Sequence, residues 1–338
     1  MTEDGAARVA VLGTGSWGTT FAAVLADAGA RVTIWGRSPQ VRDEINQTHR
    51  NEGYLPGIEL PATITATTDL RAALTGAQLV AVAIPSQVVR TVLGEAGDAL
   101  EPGAVVVSLM KGVELGTHER MSQVLAEVLA LPDSRVAVVS GPNLAREIAV
   151  HQPTATVVAS VDEHTAERVA HACATSYFRP YTNTDVVGVE LGGAVKNVIA
   201  LAVGMAQGAG FGDNTTATII TRGLAETTRL GLALGAQPET FAGLAGMGDL
   251  VATCASALSR NNTLGRHVGE GMTLTEAVAV TGGTAEGVKS CRAVLELAEL
   301  HGVEMPITQA VAAVLYDELP VATMTQALLS RPRKAEGS

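Results

Sequence analysis

The sequence predicts an α/β N-terminal domain with a mostly parallel sheet, followed by an all-helical C-terminal domain. Up to residue 187, short Val-rich apolar runs alternate with helical patterns, as in a sheet that helices cover on both faces. From residue 188 onward, the strand pattern gives way to helices separated by Gly or Pro. We therefore predict one domain over residues 1–187, a second over 188–330 and a polar tail over 331–338.

The first apolar run ends at residue 12 and leads into the turn Gly13-Thr14-Gly15-Ser16-Trp17-Gly18. Between a strand and a helix, Gly13 permits a tight turn, Gly15 lets the backbone approach a pyrophosphate, and Gly18 lets helix and strand pack closely. The unpaired N–H groups at the start of the helix favour a bound anion. A bare G-x-G-x-x-G is weak evidence in a chain with 36 glycines, but this strand–turn–helix context supports a Rossmann-type dinucleotide site.

A helix over residues 17–28 and a strand at Arg31–Trp35 complete a βαβ unit. About twenty residues past the glycines, the NAD fingerprint places an acidic residue on the ribose 2′-hydroxyl. This chain has Gly36-Arg37-Ser38 there, and a guanidinium suits a 2′-phosphate better than a free diol. We therefore predict NADP (NADPH) as the cofactor, possibly also NAD. The alternative is that Arg37 is an ordinary solvated loop residue.

The remaining elements follow from the same patterns. Further strands are predicted at 79–84, 104–109, 135–140 and Thr154–Ala159, and helices at 121–129 and Glu163–Cys173. In the second half, helices are predicted at 192–207, 215–235, 274–280, 287–301 and 307–316. Loops at the carboxyl ends of the strands are where such a sheet binds ligands.

The composition excludes several classes of protein. With 338 residues, 47% of them hydrophobic, the chain is long enough for two globular domains. The net charge of −11 argues against binding nucleic acid, which requires a basic surface. Three scattered cysteines (Cys173, Cys254 and Cys291) argue against disulfides and a cysteine metal site, and we predict no metal. That cysteine usage and an N-terminus without a signal-peptide pattern predict a cytoplasmic protein.

One stretch, residues 187–205, is apolar over a membrane-spanning length. It contains Glu190, Lys196 and Asn197 together with four glycines, so we predict no integral membrane segment. Lys196 is surrounded by apolar residues on nearly every face of the predicted helix, and a buried lysine requires a partner. We predict that it is a general acid/base or an electrostatic anchor. The alternative is a structural lysine that reaches the surface or pairs with Glu190.

Three other polar groups are candidate site residues. Asp249 lies in a glycine-rich segment with apolar neighbours and is placed to pair with Lys196, although it also suits the N-cap of a following helix. The run Ser259-Arg260-Asn261-Asn262 can bind a phosphate, although such a run is more often an exposed turn. Lys111 follows a predicted strand, at the edge where the reacting end of a cofactor lies.

Six segments together closely resemble the bacterial NAD(P)-dependent sn-glycerol-3-phosphate dehydrogenases. They are Gly13-Thr14-Gly15-Ser16-Trp17-Gly18-Thr19, Met110-Lys111-Gly112, Ser140-Gly141-Pro142-Asn143, the segment 189–197 with Leu-Gly-Gly-Ala-Val-Lys-Asn, Gly246-Met247-Gly248-Asp249-Leu250 and Ser259-Arg260-Asn261. The resemblance covers nearly the whole chain in order. The lysine block and the paired Gly-Asp-Leu and Ser-Arg-Asn motifs are specific, whereas the glycine motif is not.

The resemblance implies reversible reduction of dihydroxyacetone phosphate to sn-glycerol 3-phosphate, which feeds phospholipid synthesis. It makes Lys196 the proton donor to the ketone oxygen during reduction and the proton acceptor in reverse. It implies that Asn197, Asp249 and Thr253 order the proton network. It places the substrate against Lys111, Gly141, Asn143, Lys196, Asp249, Ser259, Arg260 and Asn261. It places the cofactor against Gly13, Gly15, Ser16, Trp17, Gly18, Arg37, Lys111, Ala145, Arg260, Thr284 and Glu286.

The chain departs from the family pattern in two places. Many bacterial members have Ser or Thr where this chain has Asn143, and Gly-Gln-Val-Val-Glu-Gly where it has Gly282-Gly283-Thr284-Ala285-Glu286-Gly287. These departures affect the expected substrate contact at Asn143 and the expected cofactor contact at Thr284. The sequence does not determine the oligomeric state, for which a homodimer is one option.

Two other functions remain open on the sequence alone. A reductase of a non-phosphorylated keto or hydroxy acid shares a glycine turn and a helical lysine, but it does not need a phosphate site. A binding protein that senses a dinucleotide has no need of a lysine in an apolar helix. Turnover of NADPH with dihydroxyacetone phosphate distinguishes both from a glycerol-3-phosphate dehydrogenase.

Overall fold

The structure is a computed structural model that describes residues 6–94, 96–282 and 286–324. Its first half is built on one eight-stranded sheet with the order β3-β2-β1-β4-β5-β6-β7-β8. The strands are β1 Arg8–Leu12, β2 Arg31–Trp35, β3 Ile64–Thr67, β4 Leu79–Val82, β5 Val105–Ser108, β6 Val136–Ser140, β7 Thr154–Ala159 and β8 Phe178–Asn183. Neighbouring strands are parallel except β6 and β7, which pair antiparallel.

Helices cover both faces of the sheet. In this half they are α1 Ser16–Asp27, α2 Pro39–Thr48, α3 Leu70–Leu74, α4 Val89–Gly94, α5 Met121–Val128, α6 Ala145–Ala149 and α7 Glu163–Cys173. Apolar side chains of the two faces form separate core clusters, because successive residues of a strand point to opposite sides.

The second half is helical in the part of it that the structure describes. Its helices are α8 Val186–Gly208, α9 Asp213–Ala233, α10 Pro238–Ala242, α11 Asp249–Ala255, α12 Arg260–Gly269, α13 Leu274–Thr281, α14 Glu286–Leu300 and α15 Pro306–Tyr316. A π-helical turn over Leu244–Gly248 connects α10 to α11. The predicted fold class is therefore confirmed: an α/β Rossmann-type domain precedes an all-helical one.

The differences from the predicted elements occur mainly at the sheet edges. Strands β3 and β8, which the apolar pattern did not indicate, are the two outermost strands. Edge strands have one exposed side, so β3 alternates buried and exposed residues, and β8 tolerates Pro180. The short helices α11 and α12 are also new, and the polar Ser259 run is the start of α12 instead of an open turn. The predicted tail, residues 331–338, lies outside the described residues.

Helix α8 is the centre of the second half. Its length and hydropathy are sufficient for a membrane span, but 94% of its most apolar window is buried within the protein. Packing against the other helices of the C-terminal core accounts for its apolar character. The first turn begins at Asp185, whose side chain accepts from the Gly188 N–H, so the helix starts six residues earlier than the sequence pattern indicates.

An ion pair joins α8 to the sheet domain. The Glu190 carboxylate accepts from the Arg120 guanidinium and, at 2.8 Å and 2.5 Å, from the backbone N–H and hydroxyl of Ser122. Ser122 lies in the first turn of α5, so a side chain of one domain satisfies the helix start of the other. This pairing excludes the alternative in which Glu190 neutralises Lys196.

Candidate active site

The glycine turn has the geometry that a dinucleotide site requires. Gly13 has φ +125°, and a Cβ there would lie 2.4 Å from the Ala83 carbonyl oxygen. A Cβ on Gly18 would lie 2.1 Å from the Gly13 oxygen, so any side chain would force the strand and helix apart. A Cβ on Gly15 would meet no atom within 4 Å, so the backbone there faces open space. Only Gly15 is therefore positioned for close approach of a ligand.

Helix α1 begins directly after this turn. Its N-cap is Gly15, which has no side chain to accept from the first N–H groups, so these donors are available to an anion. Ser16 donates to the Tyr54 carbonyl at 2.8 Å, and the indole N–H of Trp17 is buried without a hydrogen-bond partner among the described residues. The free donors and the open space at Gly15 fit the pyrophosphate of a dinucleotide.

Asn51 supports the same turn and was not identified from the sequence. Its side-chain amide donates to the Thr14 carbonyl at 2.9 Å and to the Thr19 hydroxyl at 2.8 Å. These bonds hold the segment after α2 against the glycine turn. An isolated asparagine far along the chain gives no pattern that could have indicated this contact.

Two other predicted cofactor residues, Arg37 and Ala145, lie next to the glycine turn. Arg37 is exposed and follows β2, two residues after the Trp35 carbonyl that accepts from the Gly13 N–H at 2.8 Å. Ala145 begins α6, and its carbonyl accepts from the Thr20 hydroxyl of α1 at 3.2 Å. Thr284 lies outside the described residues.

Two lysines converge on one carboxylate at the junction of the two domains. Lys196 donates to Asp249 Oδ1 and, at 2.7 Å, to the Thr253 hydroxyl. Lys111 donates to Asp249 Oδ2 at 2.6 Å and to the Gly141 carbonyl at 3.0 Å. Lys196 is 7% exposed and Asp249 is 1% exposed, so the pairing is shielded from water. Asp249 is therefore not the N-cap of α11, and its carboxylate binds both ammonium groups instead.

Burial lowers the pKa of Lys196 from its ordinary range near 10.5 to about 7. The Asp249 carboxylate opposes this change, whereas the nearby Lys111 ammonium adds to it. A lysine with a pKa near neutrality can both give and take a proton under ordinary conditions.

The local backbone brings Asp249 to Lys196. Asp249 follows the π-helical turn Leu244–Gly248, and this turn packs on α8 at Gly192. A Cβ on Gly192 would lie 2.4 Å from the Ala245 carbonyl oxygen, so the close approach depends on glycine. Gly192 is one helical turn before Lys196, which places the carboxylate beside the lysine.

The asparagines form a second set of contacts next to the lysines. Asn197 donates weakly to the Lys111 carbonyl at 3.4 Å, and its Oδ1 accepts from Asn261 at 2.9 Å. Asn261 Oδ1 in turn accepts from the Gly287 N–H at 3.0 Å. The contacts connect the Lys111 loop to α8, α12 and the start of α14. They fix the position of α8 relative to the helix that begins with Arg260.

In the Ser-Arg-Asn run, Ser259 stabilises the fold, whereas Arg260 is available to the site. Ser259 is buried and caps α12 by accepting from the Asn262 N–H at 3.2 Å. Arg260 is exposed at the first position of the helix. Burial raises the pKa of Glu286, while the Arg260 guanidinium and the Ser86 N–H oppose this change. The carboxylate at the start of α14 therefore lies in the same neighbourhood as Arg260.

The loop after β6 forms the wall beside Lys111. Gly141 has φ +143°, a conformation that favours glycine, and its carbonyl is the one that Lys111 contacts. Asn143 donates to the Thr156 hydroxyl at 3.0 Å. Ser140 Oγ and Asn143 Oδ1 are both buried without a hydrogen-bond partner among the described residues.

The comparisons with known proteins agree with this geometry. A model of the N-terminal part of NAD-dependent glycerol-3-phosphate dehydrogenase matches residues 8–166, and a model of the C-terminal part matches 185–326. A Thermobifida fusca protein named glycerol-3-phosphate dehydrogenase (NAD(P)+) is 62% identical over 97% of this chain and 98% of its own length. The chain belongs to this family. The resemblance inferred from the six sequence segments is thus confirmed.

Two further members of the glycerol-3-phosphate dehydrogenase family extend the comparison. A Streptomyces griseus protein of the same name is 60% identical over 97% of this chain and 98% of its own length. A crystal structure of glycerol-3-phosphate dehydrogenase from Coxiella burnetii has a TM-score of 0.92 at 37% identity and covers 96% of this chain and 99% of its own. The likeness therefore extends across both domains.

We predict that Gly192→Ala separates Asp249 from Lys196 in this family member. Because the added methyl group meets backbone, the variant should lose about 1–3 kcal/mol of unfolding free energy, as overpacked cores do. Turnover should fall as well, because the carboxylate moves from the lysine. Thermal unfolding and steady-state kinetics measure the two effects.

Gly94→Ala is the matched control, because Gly94 ends α4 and a Cβ there meets no atom within 4 Å. It should resemble the wild type in both measurements. Normal stability and turnover in Gly192→Ala would show that the close approach at Gly192 is not required.

Proposed function

We propose that this protein is an NAD(P)-dependent glycerol-3-phosphate dehydrogenase. It reduces dihydroxyacetone phosphate reversibly to sn-glycerol 3-phosphate. The observation that carries the proposal is the pairing of two lysines with the buried Asp249 carboxylate, where the glycine-turn domain meets the helical domain. The names of the most similar relatives support the substrate and the use of both NAD and NADP.

Lys196 is the proton donor in this mechanism. Addition of a hydride to a ketone develops negative charge on its oxygen, and a nearby ammonium stabilises that charge more in the transition state than in the ground state. Lys196 then gives its proton to the oxygen, and in the reverse direction the neutral amine accepts it. Thr253 and Asp249 hold the lysine nitrogen in place.

Lys111 supports the same charge from the other side of Asp249. Its ammonium bonds to Gly141 and Asp249, so it is fixed at the carboxyl end of the sheet. A second cation there attracts the substrate oxygen and disfavours the charged form of Lys196, which makes proton transfer easier. Contacts of Asn197 and Asn261 hold the two lysine-bearing segments in fixed positions relative to each other.

Arg260 is our proposed phosphate ligand, together with the N–H groups at the start of α12 and Asn261. A guanidinium forms charge-assisted, often bidentate bonds to phosphate. It lies at the N-terminus of a ten-residue helix, where the helix dipole also favours an anion. Because Ser259 already caps α12, we propose that its hydroxyl sets the helix start and contacts the phosphate from there.

The glycine turn, Ser16, Trp17 and the start of α1 would hold the dinucleotide, with Arg37 at its 2′-phosphate and Ala145 and Glu286 as further contacts. When bound, the nicotinamide supplies the hydride. The chain supplies orientation, the charged site and the proton. We also infer a cytoplasmic homodimer that serves phospholipid synthesis.

The experiment that tests the function is an NADPH oxidation assay with the purified chain. We expect turnover with dihydroxyacetone phosphate and none with dihydroxyacetone, because the second lacks the group that Arg260 binds. Equal activity with both would favour a reductase of non-phosphorylated substrates. A failure to oxidise NADPH with either compound, despite tight NADPH binding, would favour a dinucleotide-sensing protein.

We predict that Lys196→Ala lowers kcat by about 10²- to 10⁴-fold, the range for loss of a general acid. The NADPH dissociation constant should change little. Lys196→Arg should restore little activity, because arginine does not release its proton. Lys289→Ala, at an exposed lysine of α14, is the control and should leave kcat unchanged.

The pH dependence tests the same residue. With its pKa lowered to about 7, Lys196 holds its proton below that pH and loses it above. Reduction should therefore slow as pH rises through this range, and oxidation should slow as pH falls through it. Wild-type turnover in a folded Lys196→Ala variant would exclude the mechanism and make Lys111 the residue to test.

We predict that Arg37→Asp weakens the use of NADPH far more than the use of NADH. The substitution replaces an attraction to the 2′-phosphate with a repulsion, and NADH lacks that phosphate. The ratio of kcat/KM values for the two cofactors measures the effect. Arg222→Asp, the same charge change at an exposed residue of α9, should leave the ratio unchanged. Equal losses of kcat/KM with NADPH and NADH would contradict the assignment of Arg37 to the 2′-phosphate.

A further inference from the structure

The loop from Ser140 to Asn143 contains two polar atoms that the fold leaves without partners. Ser140 Oγ and Asn143 Oδ1 are both buried and unpaired among the described residues. A buried polar atom without a hydrogen bond is unfavourable, so each of these atoms requires a partner that the described residues do not supply. Both lie on the loop whose Gly141 carbonyl contacts Lys111, next to the proton-transfer site.

Thr156 determines which end of the Asn143 side-chain amide remains without a hydrogen-bond partner. The Thr156 hydroxyl donates its single proton to the Ser140 carbonyl at 3.1 Å, and a carbonyl can only accept. Thr156 Oγ1 is therefore an acceptor toward Asn143, and it takes the amide Nδ2 at 3.0 Å. Asn143 Oδ1 must then be the free end, and its only possible role is to accept a hydrogen bond.

Thr156 reaches the loop because of the antiparallel pairing of β6 and β7. Ser140 pairs with Val157, the neighbour of Thr156, and Thr156 itself is fully buried. A Cβ on Gly141 would lie 3.2 Å from Thr156 Cα, so glycine at this position lets the loop lie close to β7. The two hydrogen bonds of Thr156 therefore form in a rigid, water-free place.

We propose that Thr156 is a positioning residue that fixes Asn143 Oδ1 as the acceptor for the free hydroxyl of the substrate. The inference rests on the proposed function: dihydroxyacetone phosphate has a ketone between a phosphate-bearing carbon and a carbon with a free hydroxyl. With the ketone oxygen at Lys196 and the phosphate at Arg260, the hydroxyl is the remaining polar group. The loop beside Lys111 offers it a fixed acceptor.

Because of this arrangement, the loop favours ketones that carry a hydroxymethyl group. A substrate with a methyl group in place of the hydroxymethyl group leaves Asn143 Oδ1 desolvated and unpaired. That penalty of about 1–3 kcal/mol corresponds to roughly 5- to 140-fold in kcat/KM. Serine or threonine at position 143 would not depend on Thr156 in this way, because a hydroxyl can rotate to donate or accept. The dependence therefore belongs to a chain with Asn at this position.

The test compares dihydroxyacetone phosphate with hydroxyacetone phosphate, which has the same ketone and phosphate but a terminal methyl group. The wild type should prefer dihydroxyacetone phosphate by roughly 5- to 140-fold in kcat/KM. Thr156→Val keeps the shape but removes the hydroxyl that holds the Asn143 amide, so the acceptor is no longer fixed in place and the preference should fall to within a few-fold of unity. Asn143→Leu should reduce the preference similarly, and this variant tests the proposal even if Thr156→Val does not fold.

Two variants serve as controls for the selectivity. Thr156→Ser keeps the hydroxyl and should retain the wild-type preference. Thr154→Val alters a threonine two residues earlier on β7, which donates only to the Gln152 carbonyl, and it should also retain the preference. Thermal unfolding of every variant separates loss of selectivity from loss of folded protein.

Three outcomes would overturn the proposal. An equal loss of kcat/KM with both substrates in Thr156→Val would show that Thr156 serves only the stability of the fold. A rise in the KM for NADPH without a change in substrate preference would assign the amide oxygen to the cofactor. A wild type that uses both substrates equally well would show that no hydroxyl acceptor operates. A wild type that reduces neither substrate would instead overturn the proposed function itself.

Discussion

The structure depends on one buried carboxylate that holds two ammonium groups. Asp249 bonds to both Lys111 and Lys196, and the Glu286 carboxylate lies close enough to interact with both ammonium groups. Removal of one partner from a buried ion pair typically costs about 3–5 kcal/mol, because the remaining charge is uncompensated. An ammonium group held in this way is also what a ketone oxygen requires as it becomes negative. The interaction that is costly for folding is therefore the one that supports the proposed chemistry.

This constraint links the two domains. Lys111 comes from the loop after β5, Lys196 from the middle of α8, and Asp249 from the first position of α11. Their contact requires the sheet domain and the helical domain to be held at a fixed separation. The Glu190 contacts with Arg120 and Ser122 join α8 to the sheet domain, and close packing at Gly192 places Ala245, and with it Asp249, against α8. The interface between the domains is thus part of the site and not only a boundary.

Sequence patterns predicted the features that have a repeating or a local cause. The buried strands, the βαβ unit and the long helices follow from periodicity, and Lys196 was conspicuous because its helix is apolar on every face. The edge strands β3 and β8 lack a continuous apolar run, so they were missed. Asn51 and Thr156 each act through two hydrogen bonds to residues distant in the sequence or on a neighbouring strand. No local pattern contains that information, because the contact exists only once the sheet has formed.

The exposed and the buried cations have different roles in the proposed function. Arg37 and Arg260 are exposed guanidiniums, and in the proposed function they contact the ligand phosphates from solvent. At physiological ionic strength the Debye length is about 8 Å, so the acidic surface at greater distances hardly opposes them. Lys196 is buried, and burial is the main cause of its lowered pKa. In the proposed mechanism the exposed arginines therefore bind the two phosphates, while the buried lysine gives and takes the proton.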